Sequence, residues 1–203
     1  MKKVVLLSVA LAVLGLTQSM AQNTSFGVKA EAGMSNFILD DMAGWKSRFG
    51  VGGSVGGFVK IDFSKYFAIQ PEALLHLQNS EFEIDGIEND FRYFGMEVPV
   101  YAVAQLVTSE NHRAFIGVGP YGRIGFSARN RTLDLNYYKK NGGSHSFMQL
   151  GDVGCAVLVG YEFEFDMQIN ASYKYGFLNQ LNEASGSSFL RNQSISLGIG
   201  YRF

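Results

Sequence analysis

Taken two residues at a time, most of this chain separates into an apolar set and a polar or small set. The last nine residues show it most clearly. Ile195, Leu197, Ile199, Tyr201 and Phe203 fall on one face, with Ser196, Gly198, Gly200 and Arg202 on the other, which is the two-residue period of a β-strand. Seven earlier segments repeat the pattern. Phe26, Val28, Ala30, Ala32 and Met34 form the first apolar face, and Phe49 through Ile61 supply the second at every other position. The third is Phe67, Ile69, Pro71, Ala73, Leu75 and Leu77, and the fourth runs from Phe94 to Ala102. Ala114 to Phe126, Val153 to Tyr161 and Ile169 to Phe177 complete the series.

The apolar faces of all eight segments carry no charge. The opposite faces carry Lys29, Glu31, Lys60, Glu72, Glu97, Arg123, Asp152, Lys174 and Arg202. A charge on the lipid side of a barrel strand at mid-bilayer costs ~2–4 kcal/mol, so this absence is expected of a face that meets lipid. The connections alternate as well. Those around Phe63 to Lys65, Thr108 to Arg113 and Phe163 to Asp166 are short. Those around Ser35 to Arg48, Ser80 to Phe91, Arg129 to Phe147 and Leu178 to Ser188 are long, the asymmetry of bacterial outer-membrane barrels.

Aromatics gather at both strand ends. Phe26, Phe63, Phe67, Tyr161, Phe163, Tyr201 and Phe203 mark one rim; Phe49, Phe94, Phe126, Tyr175, Phe177 and Phe189 mark the other. Rings favour the headgroup layer. A terminal Phe203 suits a strand that closes a barrel inside a bilayer better than a chain end fraying into water. The pattern predicts an all-β fold: an eight-stranded antiparallel up-and-down transmembrane β-barrel over 22–203, with both ends in the periplasm. The competing architecture is a soluble barrel of lipocalin type with the same stripe turned inward. Banding, loop asymmetry and the last residue favour the membrane orientation.

The start of the chain points to the same compartment. Met1-Lys2-Lys3, an apolar run from Val4 to Leu16, and small residues Ser19 and Ala21 before Gln22 have the layout of a cleaved secretory signal peptide over 1–21. The run is shorter than the roughly 20 residues of a spanning helix. Removing 21 of 203 residues leaves enough chain for one domain. The formal charge of −1 becomes −3 once Lys2 and Lys3 are gone, so there is no basic surface for nucleic acid. Cys155, the single cysteine, has no partner for an internal disulfide.

Several stretches resemble the PorT-like outer-membrane β-barrel proteins, a family of small barrels of Gram-negative bacteria. They are Ile69-Gln70-Pro71-Glu72 with Leu74, Tyr93 to Val100 with Glu97 before Val98-Pro99, and Gly119-Pro120. Gly151-Asp152-Val153-Gly154, Gly160-Tyr161-Glu162-Phe163, Tyr173-Lys174-Tyr175-Gly176-Phe177 and Tyr201-Arg202-Phe203 follow. Ala73 spaces Glu72 from Leu74 where the family usually has the two adjacent, and Asn79 stands where a glycine is common. The resemblance implies an outer-membrane protein, and the family's name-giving member is associated with a protein-secretion apparatus.

The interior charges have two readings. They form a polar path or solute site, or they pair with one another and fill the bore. An eight-stranded barrel is just wide enough inside for its own side chains, and near balance of sign favours pairing. No cofactor or metal motif is evident, and the histidines are scattered. His76, near Glu72, and His145, between Ser144 and Ser146, lack the third group and oxyanion donors of a catalytic site, so no enzyme is expected.

The long loops carry the remaining chemistry. The second reads as an extended acidic hairpin, Glu81 to Glu88 with Asp85-Gly86 at its turn. The third is basic and aromatic, with Arg129, Arg131, Tyr137, Tyr138, Lys139 and Lys140; the first holds Trp45, the only tryptophan. The expected protein is a monomer in contact with outer-membrane lipid and with the barrel-insertion machinery. Its role is structural or binding: the loops form a recognition surface for a protein or glycan partner, or the acidic and basic loops pair over the barrel mouth, or the basic one holds anionic headgroups of the outer leaflet. The alternatives are a narrow porin-like channel for small solutes and an accessory component of a secretion apparatus.

Overall fold

A computed structural model of the chain describes residues 24–40, 45–47, 50–84, 87–109, 112–130, 135–136, 151–178 and 189–203. The proposed signal segment, residues 131, 137–140 and His145 lie outside these. Among the described residues there are ten strands: β1 (Thr24–Asp40), β2 (Trp45–Ser47), β3 (Gly50–Ser64), β4 (Phe67–Ile84) and β5 (Ile87–Ser109) come first. β6 (His112–Asn130), β7 (Leu135–Asn136), β8 (Gly151–Glu162), β9 (Met167–Gly176) and β10 (Phe189–Arg202) follow.

Eight of them close into an antiparallel barrel. β1 pairs with β3, β3 with β4, and so on through β5, β6, β8 and β9 to β10. The ring is sealed by β1 against β10, in register from Gly27 opposite Arg202 to Asp40 opposite Phe189. Within the ring each of the eight strands is paired on both sides, which is what a strand-built object needs where no water can satisfy its backbone. β2 adds only to the far end of β4 and β7 to that of β6.

The strands are longer than the apolar stripes implied. About 9–11 tilted residues cross a bilayer, whereas β4, β5 and β6 have 18, 23 and 19. Much of the excess lies at the long-loop end, in segments expected to be loops, although β5 also runs on to Ser109 at the short-turn end. β1 continues to Asp40, and β4 and β5 stay paired to Ile84 opposite Ile87. Hydrophobic alternation records where lipid is; backbone pairing continues beyond it. Asp85 and Gly86, where a two-residue turn is expected, lie outside the described residues, between the paired Ile84 and Ile87. At the other rim the connections are short. The Phe163–Asp166 turn is closed by Phe163 N–H donating to Met167 O (2.8 Å), with Asp166 at φ 59°, a value Asp tolerates better than most residues.

Orientation of the side chains follows the period of two. Exposed large apolar residues occur on all eight barrel strands, among them Val28, Val55, Leu77, Val98, Val118, Val157, Ile169 and Leu197. A continuous belt of this kind far exceeds the apolar patches of water-soluble monomers. At the long-loop end the outward face turns polar: Tyr173 Oη donates to Gln193 Oε1 (3.1 Å), and Gln193 Nε2 donates to Asn36 Oδ1 (2.7 Å). Rings pair along the rims, as in Tyr201–Phe203 (5.5 Å), Tyr161–Phe163 (5.1 Å) and, opposite, Phe94–Phe126 (5.6 Å). Tyr66 and Phe165 join the short-turn rim, both more than half exposed.

Candidate functional site: the barrel interior

Along the inner face, two kinds of packing share the bore. Ala68, Tyr101, Val103, Phe115, Tyr121, Ala156 and Leu158 form an apolar cluster between β4, β5, β6 and β8. Glycines make room for the large members. A methyl group at Gly160 would overlap the Phe115 ring, and one at Gly27 would overlap that of Phe58. Val103, Phe115 and Leu158 are apolar on the inner face, so hydrophobicity alone would have turned them to lipid; the parity of their neighbours places them inside.

The rest of the interior is an alternating chain of charges across the strands. Gln70 Nε2 donates to Glu72 Oε1 (2.8 Å), and Lys29 Nζ lies 3.0 Å from Glu72 Oε2 and 2.8 Å from Glu31 Oε1. Glu31 faces Lys174 at 3.6 Å and accepts from Ser54 Oγ at 3.0 Å. Lys174 reaches on to Glu97, whose other oxygen accepts from Arg123 Nε (3.0 Å) and Nη2 (2.7 Å). Lys29, Lys174 and Arg123 thus balance Glu31, Glu72 and Glu97. All six are buried. Each acid sits beside at least one cation, which offsets part of the cost of burying its charge.

A second group closes the short-turn end. Lys60 Nζ bonds Glu162 Oε2 (2.9 Å), and Arg202 Nη1 meets Glu162 Oε1 (2.8 Å). Arg202 also donates to Asp166 Oδ1 through Nε (3.1 Å). This ties the last strand to the β8–β9 turn. Asp152 stands apart near the long-loop end, accepting from Tyr121 Oη (3.0 Å). The nine charges singled out from the sequence therefore fall into two ion-paired groups and one carboxylate bonded to a tyrosine. Glu162 and Asp166 were missed. Glu162 shares the parity of Asp152 on β8, so continuing the alternation would have found it; Asp166 lies in a turn, where no period applies.

A cavity bordered by Ser35, Ser54, His76, Lys174 and Ser196 measures about 20 Å³, room for roughly one water. His76 Nε2 lies 3.4 Å from Gln78 Oε1 and its ring 6.1 Å from that of Tyr93. Among the described residues no cluster of three His, Cys, Asp or Glu side chains is placed to hold a metal ion. Of the loop residues, Trp45 and Arg129 have backbones in β2 and β6, while their side chains and the other loop candidates lie outside what is described.

A closed barrel of eight antiparallel strands, belted outside by uncharged apolar side chains, ringed by aromatics and paired by charge within, defines an outer-membrane β-barrel protein. The chain belongs to the outer membrane protein beta-barrel domain family, whose model matches residues 7–203. It is similar in fold to Neisserial surface protein A (NspA), at 17% identity and a TM-score of 0.51 over 90% of this chain and 100% of that one. It is similar also to the outer membrane protein OprG from Pseudomonas aeruginosa, at 13% identity and a TM-score of 0.57 over 88% and 95%. At these identities the likeness is one of fold. Comparison with curated proteins gives no match.

Proposed function

We propose that the protein is a monomeric, side-chain-filled barrel of the PorT-like type, exported through a cleaved signal peptide over 1–21 and inserted by the barrel-assembly machinery. It acts without catalysis or cofactor, as a structural or binding element. One observation carries the reading: the chain of charges from Gln70 to Arg123 crosses the bore. Steady flow of solute would require breaking several buried pairs, each costly to separate. What remains for function is the far end, where β4 and β5 extend as a hairpin to Ile84 and Ile87 and loops on a rigid frame are free to carry recognition. Partners of protein or glycan class are expected there, with Trp45, Arg129, Arg131, Tyr137, Tyr138, Lys139 and Lys140 as the contacts.

Two measurements test this. In planar bilayers the purified barrel should give no steady single-channel current; discrete, reproducible conductance would establish the channel reading instead. Cross-linking in native membranes should capture a partner that is lost when residues 80–91 and 131–147 are replaced by short Gly-Ser turns. Capture that survives the replacement would remove the loops from the account.

A further inference from the structure

The barrel wall is not uniformly laddered. From β6 through β8, β9 and β10 to β1 and β3 the strands pair without interruption, as from Arg113 opposite Glu162 to Ile124 opposite Gly151. The three consecutive seams from β3 to β6 are each broken in mid-strand. Pairing jumps from Phe58–Glu72 to Ile61–Ile69 on β3 and β4, and from Pro71–Val100 to Leu74–Glu97 on β4 and β5. On β5 and β6 it jumps from Pro99–Tyr121 to Ala102–Val118. The chain's three prolines, Pro71, Pro99 and Pro120, fall one in each gap. A proline nitrogen has no hydrogen to give to a ladder, and by the register the missing donors face Val59, Glu72 and Val100. Proline in a sheet belongs at edges and bulges. Here three occupy adjacent strands of a closed wall, and their gaps abut, residues 70–71 and 72–73 on β4 and 98–99 and 100–101 on β5. Together they draw one diagonal line of weakened pairing.

We propose that this line is a hinge in the barrel wall, about which the outer parts of β4 and β5 bend as one panel. Beyond the line the two strands stay laddered from Leu74 opposite Glu97 to Ile84 opposite Ile87, so the panel holds together while the line yields. Few backbone bonds resist bending there, the condition for local motion in an otherwise stable fold. On the inner side the panel is pinned beside the line. Glu72 meets Lys29 of β1 at 3.0 Å, and Glu97 meets Lys174 of β9. These pairs cross the bore and act as the catch: outward bending separates them, so a pull on the hairpin is felt in the interior. The hinge goes beyond the loop-based reading and does not need it, because the wall bends whether or not the hairpin meets a partner.

The test reads distances in the full-length mature barrel carrying Cys155→Ser, folded into phospholipid vesicles. Spin labels are attached through Leu77→Cys, beyond the line on β4, or Leu106→Cys, on its near side on β5. Each is combined with Leu197→Cys on β10; all three positions are exposed. Pro71→Val/Pro99→Val/Pro120→Val returns the three donors. Pulsed electron spin resonance should then show the spread of the 77-to-197 distance narrowed by about 3 Å, one residue's rise, with the 106-to-197 spread unchanged. Pro99→Val alone, at the middle of the line, should give part of the narrowing and serves if the triple variant does not fold, which unboiled gel mobility reports. Lys29→Met/Glu72→Leu removes one catch and should widen the 77-to-197 spread. Equal spreads with and without the prolines, narrowing of both distances alike, or no widening on loss of the catch would each overturn the proposal. The conductance and cross-linking experiments do not depend on the hinge, so its failure leaves the loop-based reading standing.

Discussion

Removing one charge from the interior chain should be far more damaging than removing a pair. Lys29 is the sharpest place to ask, because its Nζ serves Glu31 at 2.8 Å and Glu72 at 3.0 Å with no exposed side-chain surface. Lys29→Met keeps the length of the side chain and deletes the charge. Glu72 then retains Gln70 as its hydrogen-bond donor, and the central group falls from three cations against three acids to two against three. Breaking a buried pair from one side costs ~3–5 kcal/mol, because the remaining charge stays buried without compensation. Adding Glu72→Leu restores the balance, with Lys174 and Arg123 against Glu31 and Glu97. Replacing both partners with apolar groups is close to neutral, though Gln70 loses its acceptor, so the double variant should lie within ~1–2 kcal/mol of wild type. Urea titration in phospholipid vesicles measures this, with the folded fraction read from the faster migration of unboiled protein. If Lys29→Met stays within ~1 kcal/mol of wild type, or the double variant is no more stable than the single, the interior is not held by compensated charge.

Two further outcomes follow from the packing and from the outer face. Gly160→Val pushes a branched side chain into the Phe115 ring and should cost ~1–3 kcal/mol in the same titration; an unchanged midpoint would mean that the ring is not seated there. Leu197→Arg puts a charge on the lipid side and should lose ~2–4 kcal/mol, with Leu197→Ala losing clearly less; equal losses would place that residue away from the bilayer centre.

The barrel was legible in the sequence because lipid imposes a strict rule on alternate residues. Every outward position from Phe26 to Met34, or from Ile195 to Phe203, had to be uncharged, and the parity so obtained put Lys29, Glu72 and Arg123 inside. Partner choice was not legible. Lys29 and Glu72 lie on strands separated by β3, and Lys174 and Glu97 on strands separated by β6 and β8; such meetings across the bore depend on barrel shear, which alternation does not encode. Strand ends were hidden for a related reason. Beyond the bilayer, pairing of Glu83 with Glu88 or Leu39 with Leu190 is sustained by the backbone, so the side-chain pattern fades before the strand stops.

The account depends most on which way the uncharged stripe points, and fluorescence quenching reads that directly. In a Trp45→Phe background, single tryptophans replace Val55, Val118 or Leu197, exposed on the well-separated strands β3, β6 and β10, and each protein is folded into vesicles. Phospholipids brominated along the acyl chain should quench all three strongly, and aqueous iodide should leave them nearly unaffected. Quenching by iodide with none from brominated lipid would turn the stripe away from the bilayer and contradict the membrane barrel itself.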